Sequence, residues 1–102
     1  MRKVMVRYRT KPGRAAENER LVAAVFAQLH RDAPPGLRYA TFKAADGVSF
    51  THLASIESDD DSNPLQALDA FKAFASQIAE RCDEPPVVTE LSEVGSYRLF
   101  TS

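Results

Sequence analysis

The dipeptide Asp46-Gly47, set between two stretches of strand-like sequence, constrains the fold of this chain more than any other feature. Asp-Gly is typical of the two-residue type I′ turn of a β-hairpin, in which both central residues need positive φ. A turn at this position fixes the register of the two strands, so Thr41 is predicted to lie opposite His52. The hairpin is therefore predicted to cover residues 37–57.

Side chains alternate along paired strands, so this register divides the hairpin into two faces. One face carries Leu37, Tyr39, Thr41, Phe50, His52 and Ile56. The other face carries Arg38, Ala40, Phe42, Thr51, Leu53 and Ser55. Neither set is wholly polar, and both faces are therefore predicted to be covered by other protein.

The segment before the hairpin is predicted to form a strand and then a helix. Residues 3–9 alternate along the chain, which predicts the first strand. From about Ala15 the apolar residues recur at helical spacing, and the helix must end before Pro34, because proline cannot enter a helix interior. The apolar stripe of this helix consists of Leu21, Val22, Val25, Phe26 and Leu29.

A second helix is predicted from Asn63-Pro64, an N-cap followed by proline at the first helical position, to near Arg81. The acidic residues 59–61 are expected to lie near its positive end. Pro85-Pro86 ends the helical region, and a last strand is predicted from Val87 to Val94. The predicted apolar stripe of the second helix is Leu65, Leu68, Phe71, Phe74, Ala75, Ile78 and Cys82.

This order of elements, β-α-β-β-α-β, is that of a ferredoxin-like α+β fold. We expect one domain over residues 1–102, with a four-stranded antiparallel sheet in the order 4-1-3-2 and both helices on one face. The opposite face would expose Met5 and half of the hairpin's apolar residues, which predicts that a second copy of the chain covers it. The apolar segment from Tyr97 to Phe100 is predicted to run along the partner and to help hold this homodimer.

Charge is unevenly distributed along the chain. Residues 1–43 carry ten Lys and Arg against three acids, whereas residues 44–102 carry three basic residues against eleven acids. The basic half could meet nucleic acid, but pairing of the two halves within one sheet is favoured, because an overall acidic chain repels phosphates. No nucleic-acid or membrane partner is therefore predicted. The single cysteine excludes an internal disulfide and fits a cytoplasmic protein.

Several short motifs along the chain carry a resemblance to a known family. They are Tyr8-Arg9-Thr10-Lys11-Pro12-Gly13, Pro35-Gly36-Leu37, Asp46-Gly47-Val48-Ser49-Phe50-Thr51-His52, the second-helix aromatics Phe71 and Phe74, and Val94-Gly95-Ser96-Tyr97. In these motifs the chain resembles the dimeric α/β-barrel superfamily, in particular its antibiotic biosynthesis monooxygenase-like group. The resemblance implies a barrel made from the facing sheets of two subunits. The superfamily includes cofactor-free oxygenases, haem-degrading enzymes, isomerases and proteins without known activity, so the fold narrows the function only weakly.

The haem-degrading branch is not favoured by this sequence. Its members resemble one another in a second-helix histidine, a first-strand asparagine and a tryptophan. Here residues 64–81 contain no histidine, residues 3–9 contain no asparagine, and the chain has no tryptophan. The prediction is therefore a protein without a haem, metal or other cofactor.

His52 is the strongest candidate for a catalytic residue. An imidazole among apolar neighbours could accept a proton near pH 7, as an oxygenase that forms a substrate carbanion requires. Tyr39 and Thr41, beside it on the hairpin, are candidates for substrate binding. Arg7, on the first strand, could bind an anionic or phenolate substrate. The alternatives are a structural histidine held by a hydroxyl group, and an arginine paired with Glu90 or Glu93.

Two functions follow from these residues. The first is a cofactor-independent monooxygenase, or a related enzyme, acting on a small aromatic or quinol metabolite. The second is a non-catalytic dimeric module that binds a small ligand or a partner protein. A convergent set of polar side chains in an apolar pocket would distinguish the two, and the sequence supplies Tyr39, Thr41 and His52 for such a set, and less clearly Arg7.

Overall fold

The fold is a four-stranded antiparallel sheet with its helices packed against one face. The computed structural model describes residues 2–57 and 63–99. Its strands lie in the order β2-β3-β1-β4, which confirms the predicted 4-1-3-2 order and the ferredoxin-like α+β fold. The elements are β1 (Arg2–Thr10), α1 (Ala15–Asp32), β2 (Leu37–Lys43), β3 (Ser49–Ile56), α2 (Asp69–Ala75), α3 (Ile78–Arg81) and β4 (Cys82–Leu91), with short 3-10 turns at Pro12–Arg14 and Pro64–Ala67.

The hairpin register is confirmed, but the turn differs from the predicted type. Thr41 lies opposite His52 and Lys43 opposite Phe50, as the position of the turn predicts. Gly47 has a φ of +79°, whereas Asp46 keeps a negative φ, so the turn is not type I′. The Asp46 carboxylate instead accepts hydrogen bonds from the backbone N–H groups of Val48 and Ser49, at 2.9 and 2.8 Å, and closes the turn through its side chain.

The predicted second helix is broken into three pieces. Asn63 caps the segment as expected, since its side chain accepts a hydrogen bond from the Leu65 N–H at 3.0 Å. The first turn is 3-10, however, and Leu68 is extended, which lets both leucines reach the core. The Gln28 side chain then accepts from the Ala70 N–H at 2.9 Å and restarts the helix as α2. The predicted acidic cap at residues 59–61 lies outside the described residues.

The last strand also differs from the prediction, because it begins at Cys82 and includes Pro85-Pro86. The register between β1 and β4 shifts on both sides of Arg9, so the prolines lie in an irregular stretch of pairing. β4 is an edge strand, where a residue without an N–H group is tolerated. The strand ends at Leu91 and not at Val94.

The hydrophobic core lies between the helices and one face of the sheet, and both predicted helix stripes contribute to it. Ala75 is the exception in the second stripe, because it is exposed. The buried core cluster consists of Tyr8, Val25, Phe50, Leu65, Leu68, Phe74 and Cys82.

None of the described helices combines the length and the apolarity that are needed to cross a membrane.

The second face of the sheet, called here the open face, has no helix over it. Cross-strand partners share a face, which places Met5 beside Leu53 and Thr89, and Arg7 beside Thr51 and Val87. Its apolar residues are Met5, Ala40, Phe42, Leu53, Val87 and Leu91.

The basic and acidic halves of the chain meet across β1 and β4, as predicted. Among the described residues, Arg2 pairs with Glu90 at 3.5 Å and Arg9 with Glu84 at 3.6 Å across the two strands, and Lys3 pairs with Glu93, just after β4, at 3.9 Å. Beyond β4, residues 92–96 form no regular secondary structure. Tyr97, which follows them, is 82% exposed in the single chain.

Replacing Gly47 by valine should destabilise the fold by about 1 kcal/mol or more, because a β-branched residue is strained at positive φ. The same change at Gly95 is the matched control, since nothing lies within 4 Å of a Cβ there and no positive φ is needed. Urea unfolding of both variants measures the difference. Equal stability of the two would contradict the left-handed conformation at Gly47.

Candidate functional site

His52 lies in the middle of β3 on the helix-covered face and is only 4% exposed. Its Nδ1 atom is 2.6 Å from the Tyr39 hydroxyl and 3.0 Å from the Thr41 hydroxyl, both on β2. Three of the four residues predicted for the site are thus brought together. Their proximity follows from the hairpin register, which sets Thr41 opposite His52 and Tyr39 one pair further along the same face.

The other ring nitrogen of His52 leads into a buried chain of polar groups. Nε2 is 2.8 Å from the Tyr8 hydroxyl, and the Asn18 Nδ2 group donates to the same hydroxyl at 2.8 Å. The Arg81 Nε group in turn donates to the Asn18 Oδ1 atom at 3.2 Å. We call the series Arg81, Asn18, Tyr8, His52 and Tyr39 the polar chain.

Asn18 and Arg81 are the members that sequence reasoning missed. Asn18 has no exposed surface and Arg81 is 1% exposed, although both are polar. A signal for Asn18 was present, since it lies four residues before Val22 and seven before Val25, on the buried stripe of α1. Arg81 carried no comparable signal, because its contact with Asn18 spans 63 residues of sequence.

Aromatic rings enclose the polar chain. The Phe74 ring centroid is 5.3 Å from that of His52, and Phe50 stacks on Tyr8 at 5.5 Å. On the outer side Phe26 of α1 stacks on Tyr39 at 5.3 Å with an interplanar angle of 21°. These apolar walls exclude water from the imidazole and strengthen its hydrogen bonds.

Burial sets the protonation of the site. It lowers the pKa of His52 to about 4, so the imidazole is neutral at pH 7. At this pKa the imidazole is a weaker base near pH 7 than was expected for a candidate catalytic residue. Burial raises the pKa of Tyr39 to about 12, against a hydrogen bond with Thr41 that lowers it. It also raises the pKa of Tyr8, where the hydrogen bond from Asn18 acts in the opposite direction.

Two grooves run between α1 and β2 and reach the outer members of the site. The larger groove, about 300 Å³, includes Tyr39 in its wall, and the smaller groove, about 180 Å³, includes Thr41. His52 lines neither groove, so a ligand in either groove would contact Tyr39 or Thr41 and not the imidazole. The other walls of the larger groove are Phe26, Leu29, His30, Ala33, Pro34 and Leu37, and those of the smaller groove are Glu19, Val22, Ala23, Lys43 and Phe50.

Arg7, the fourth predicted site residue, is not part of this arrangement. It pairs with Thr51 and Val87 and lies on the open face, whereas His52 faces the helices. Within one protomer the sheet separates the two residues. Cys82 is buried and burial raises the pKa of its thiol, which fits its place on the predicted apolar stripe. Within residues 2–57 and 63–99, no group of three or more His, Cys, Asp or Glu side chains could hold a metal ion.

Comparison with known proteins identifies the fold. No protein-family model matches the sequence, and no curated protein matches it significantly. Among solved structures, Rv0793 from Mycobacterium tuberculosis has a TM-score of 0.75 and 20% identity, over 93% of this chain and 96% of the other. A Nitrosomonas europaea protein provisionally named an antibiotic biosynthesis monooxygenase has a TM-score of 0.76 and 15% identity, over 93% and 100% of the two chains.

A third similar structure, NE2512 from Nitrosomonas europaea, is described as a protein of unknown function. Its TM-score is 0.72 with 15% identity, over 94% of this chain and 91% of the other. The chain thus has the fold of antibiotic biosynthesis monooxygenase-like proteins, as the sequence resemblance predicted. At these identities the likeness concerns the fold, and the activity has to be argued from the site.

The buried imidazole should make stability depend on pH. Between pH 6.5 and 4 the unfolded chain binds a proton at His52 that the folded chain does not, so stability is complete above pH 6.5 and falls as the pH falls. Urea unfolding should show a loss of about 2 kcal/mol from pH 7 to pH 5. His52→Gln should flatten this dependence. A His52 ring resonance that titrates near 6.5 in the folded protein would contradict it.

Proposed function

We propose that the protein is a cofactor-independent monooxygenase, or a closely related enzyme, that acts on a small aromatic or quinol ligand bound in the larger groove. The observation that supports this proposal best is the position of Tyr39. Its hydroxyl group is held by His52 at 2.6 Å, while its side chain forms part of the groove wall. A groove of about 300 Å³ is at the lower end of the range for small-molecule sites, which suits a ligand of one or two rings.

A quinol supplies all the electrons that such a reaction needs. A quinol with a free ring carbon and one O₂ molecule give a hydroxyquinone and one water molecule. One oxygen atom forms a new C–O bond to the ring and the other leaves as water, while the ring loses four electrons. The quinol itself is the reductant, so no flavin, haem or metal is required for the balance.

His52 is proposed to act through its hydrogen bond with Tyr39, and not as a base in direct contact with the ligand. The ring is enclosed and both of its nitrogens have hydrogen-bond partners within the protein, so it does not contact the ligand directly. It can fix the position of the Tyr39 oxygen and the direction of its hydroxyl proton. Thr41, on the same Nδ1 atom, lies in the wall of the smaller groove and is proposed to contact only a ligand that extends into that groove.

The second candidate function, a non-catalytic binding module, is favoured by one specific observation. Both ring nitrogens of His52 are occupied by hydrogen bonds within the protein, as in a structural histidine. The grooves would then bind a small ligand without turnover. Detection of product therefore decides between the two functions.

We also propose that the protein is a homodimer assembled through the open face. That face joins apolar residues such as Met5 and Leu53 across β1 and β3, without a helix to cover them. Val87 at its margin is 62% exposed. A second copy offering the same surface would remove this area from water, and the exposed segment at Tyr97 could extend the contact. Arg7 would then lie at the interface.

The enzymatic proposal predicts incorporation of one oxygen atom from O₂. With ¹⁸O₂ and 1,4-naphthoquinol, the protein should form a hydroxyquinone that carries one ¹⁸O atom, detected by mass spectrometry. Spontaneous oxidation of the quinol gives unlabelled quinone and serves as the background. Tyr39→Phe should lower kcat/KM about tenfold or more, because it removes the hydroxyl group at the ligand.

Tyr97→Phe is the matched control for that measurement. Tyr97 is 82% exposed and lies outside both grooves, so its variant should keep the activity of the unchanged protein. Tight binding of quinols without labelled product, in a panel of one- and two-ring quinols, would favour the binding module. Equal activity of both tyrosine variants would remove Tyr39 from the proposed site.

The assembly proposal is tested by two adjacent valines. Val87 and Val88 are equally exposed, at 62% each, but Val87 pairs with Arg7 on the open face and Val88 with Val6 on the opposite face. Val87→Lys should weaken dimerisation in sedimentation at micromolar concentration, whereas Val88→Lys should not. Deletion of residues 96–102 should weaken it as well. A full-length protein that sediments as a monomer would contradict the assembly.

A further inference from the structure

Arg81 is a buried cation, and beside the hydrogen bond from Arg14 its positive charge helps to lower the pKa of the Glu17 carboxylate on α1. Arg81 is 1% exposed, and no carboxylate of the described residues forms an ion pair with it. Its guanidinium group donates from Nη2 to the Phe74 carbonyl at 2.7 Å and from Nε to Asn18, and lies 5.3 Å from the Phe74 ring. Removing a charge from water without a close counter-charge is costly, so these hydrogen bonds have to compensate for the lost hydration.

The first consequence of Arg81 is the orientation of Asn18. A guanidinium N–H group can only donate, so the Asn18 atom that faces it at 3.2 Å must be the carbonyl oxygen. The amide NH₂ group is thereby turned toward the Tyr8 hydroxyl, 2.8 Å away. The assignment of oxygen and nitrogen in this buried side chain follows from the chemistry of Arg81 alone.

The orientation of Asn18 then determines the direction of the next hydrogen bond. The Tyr8 oxygen accepts from Asn18, and its own proton has one acceptor among its described contacts, the Nε2 atom of His52 at 2.8 Å. If Nε2 carried a proton instead, the Tyr8 proton would be buried without an acceptor, which is unfavourable. His52 is therefore protonated on Nδ1, and this N–H group donates to the Tyr39 oxygen at 2.6 Å.

We propose that Arg81 and Asn18 are positioning residues that fix the tautomer of His52, so that His52 donates to the Tyr39 oxygen and does not accept the Tyr39 hydroxyl proton. That proton is then available to an acceptor on a ligand in the larger groove, in competition with the Thr41 hydroxyl, which also hydrogen-bonds to Tyr39. The groove then selects a ligand that offers an acceptor oxygen there, such as a quinone carbonyl or a phenolate. This ligand class rests on the proposed function, whereas the tautomer does not.

The tautomer can be measured directly. The ¹⁵N shifts of protonated and unprotonated ring nitrogens differ widely, and the chain has only two histidines, of which the exposed His30 is an internal reference. Long-range ¹H–¹⁵N spectra of the ¹⁵N-histidine-labelled protein should show a proton on Nδ1 of His52 and none on Nε2. A proton on Nε2 in the unchanged protein would overturn the proposal, whatever any variant does.

Asn18→Asp should reverse the polar chain with almost no change in shape. The introduced carboxylate accepts from both Arg81 and the Tyr8 hydroxyl, so the Tyr8 proton turns away from His52. The tautomer should then change from Nδ1–H to Nε2–H, a signature that general loosening of the core would not produce. Asn63→Asp, the same substitution at the N-cap of the 3-10 turn, is the matched control and should leave the His52 spectrum unchanged.

A binding experiment separates the two parts of the proposal. Titration with 1,4-naphthoquinone, which offers acceptor oxygens only, should show weaker binding by about tenfold for Tyr39→Phe and for Asn18→Asp than for the unchanged protein. Naphthalene, which lacks the oxygens, should show no such difference between variants. If the tautomer is Nδ1–H and no quinone binds, the proposed function and ligand class fail while the role of Arg81 stands. If quinone binds and the tautomer is Nε2–H, the role of Arg81 fails.

Discussion

The hydrogen bond between the Tyr8 hydroxyl and His52 Nε2 is the interaction on which the interior of this protein depends. It joins β1 to β3 inside the core, at 2.8 Å, between residues 44 apart in sequence. Phe50 and Phe74 pack around it, so the apolar core is built against a polar centre. Such a centre is stabilising only when each of its members is satisfied, and no buried side-chain polar atom of the described residues lacks a partner.

The position of β3 between two other strands explains how the polar centre is assembled. A histidine in mid-strand can be buried at low cost when both ring nitrogens have hydrogen-bond partners, and here the adjacent strands supply hydroxyl groups to both. β1 brings Tyr8 and β2 brings Tyr39, which is possible because β3 lies between these two strands. The helices then supply the apolar cover and the two outermost polar groups, Asn18 from α1 and Arg81 from the end of α3.

The parts of the fold that were predictable from the sequence are those determined locally. Asp46-Gly47 determined the register, and the register alone placed Tyr39 and Thr41 beside His52. The break of the second helix at Leu68 was not predictable, because the residue that restarts it, Gln28, belongs to another helix. The role of Arg81 was not predictable for the same reason. Its partner Asn18 lies 63 residues earlier, and a local sequence pattern does not indicate so distant a contact.

The proline pair in β4 bears on how copies of this protein can meet. An edge strand with free N–H groups is a template for further strands, and repeated pairing of that kind leads to aggregation. Pro85 and Pro86 remove two donors in succession, and the irregular pairing beside Arg9 interrupts the flat edge. The beginning of β4 is therefore a poor template, and growth of the sheet from that edge into an open-ended fibre is disfavoured.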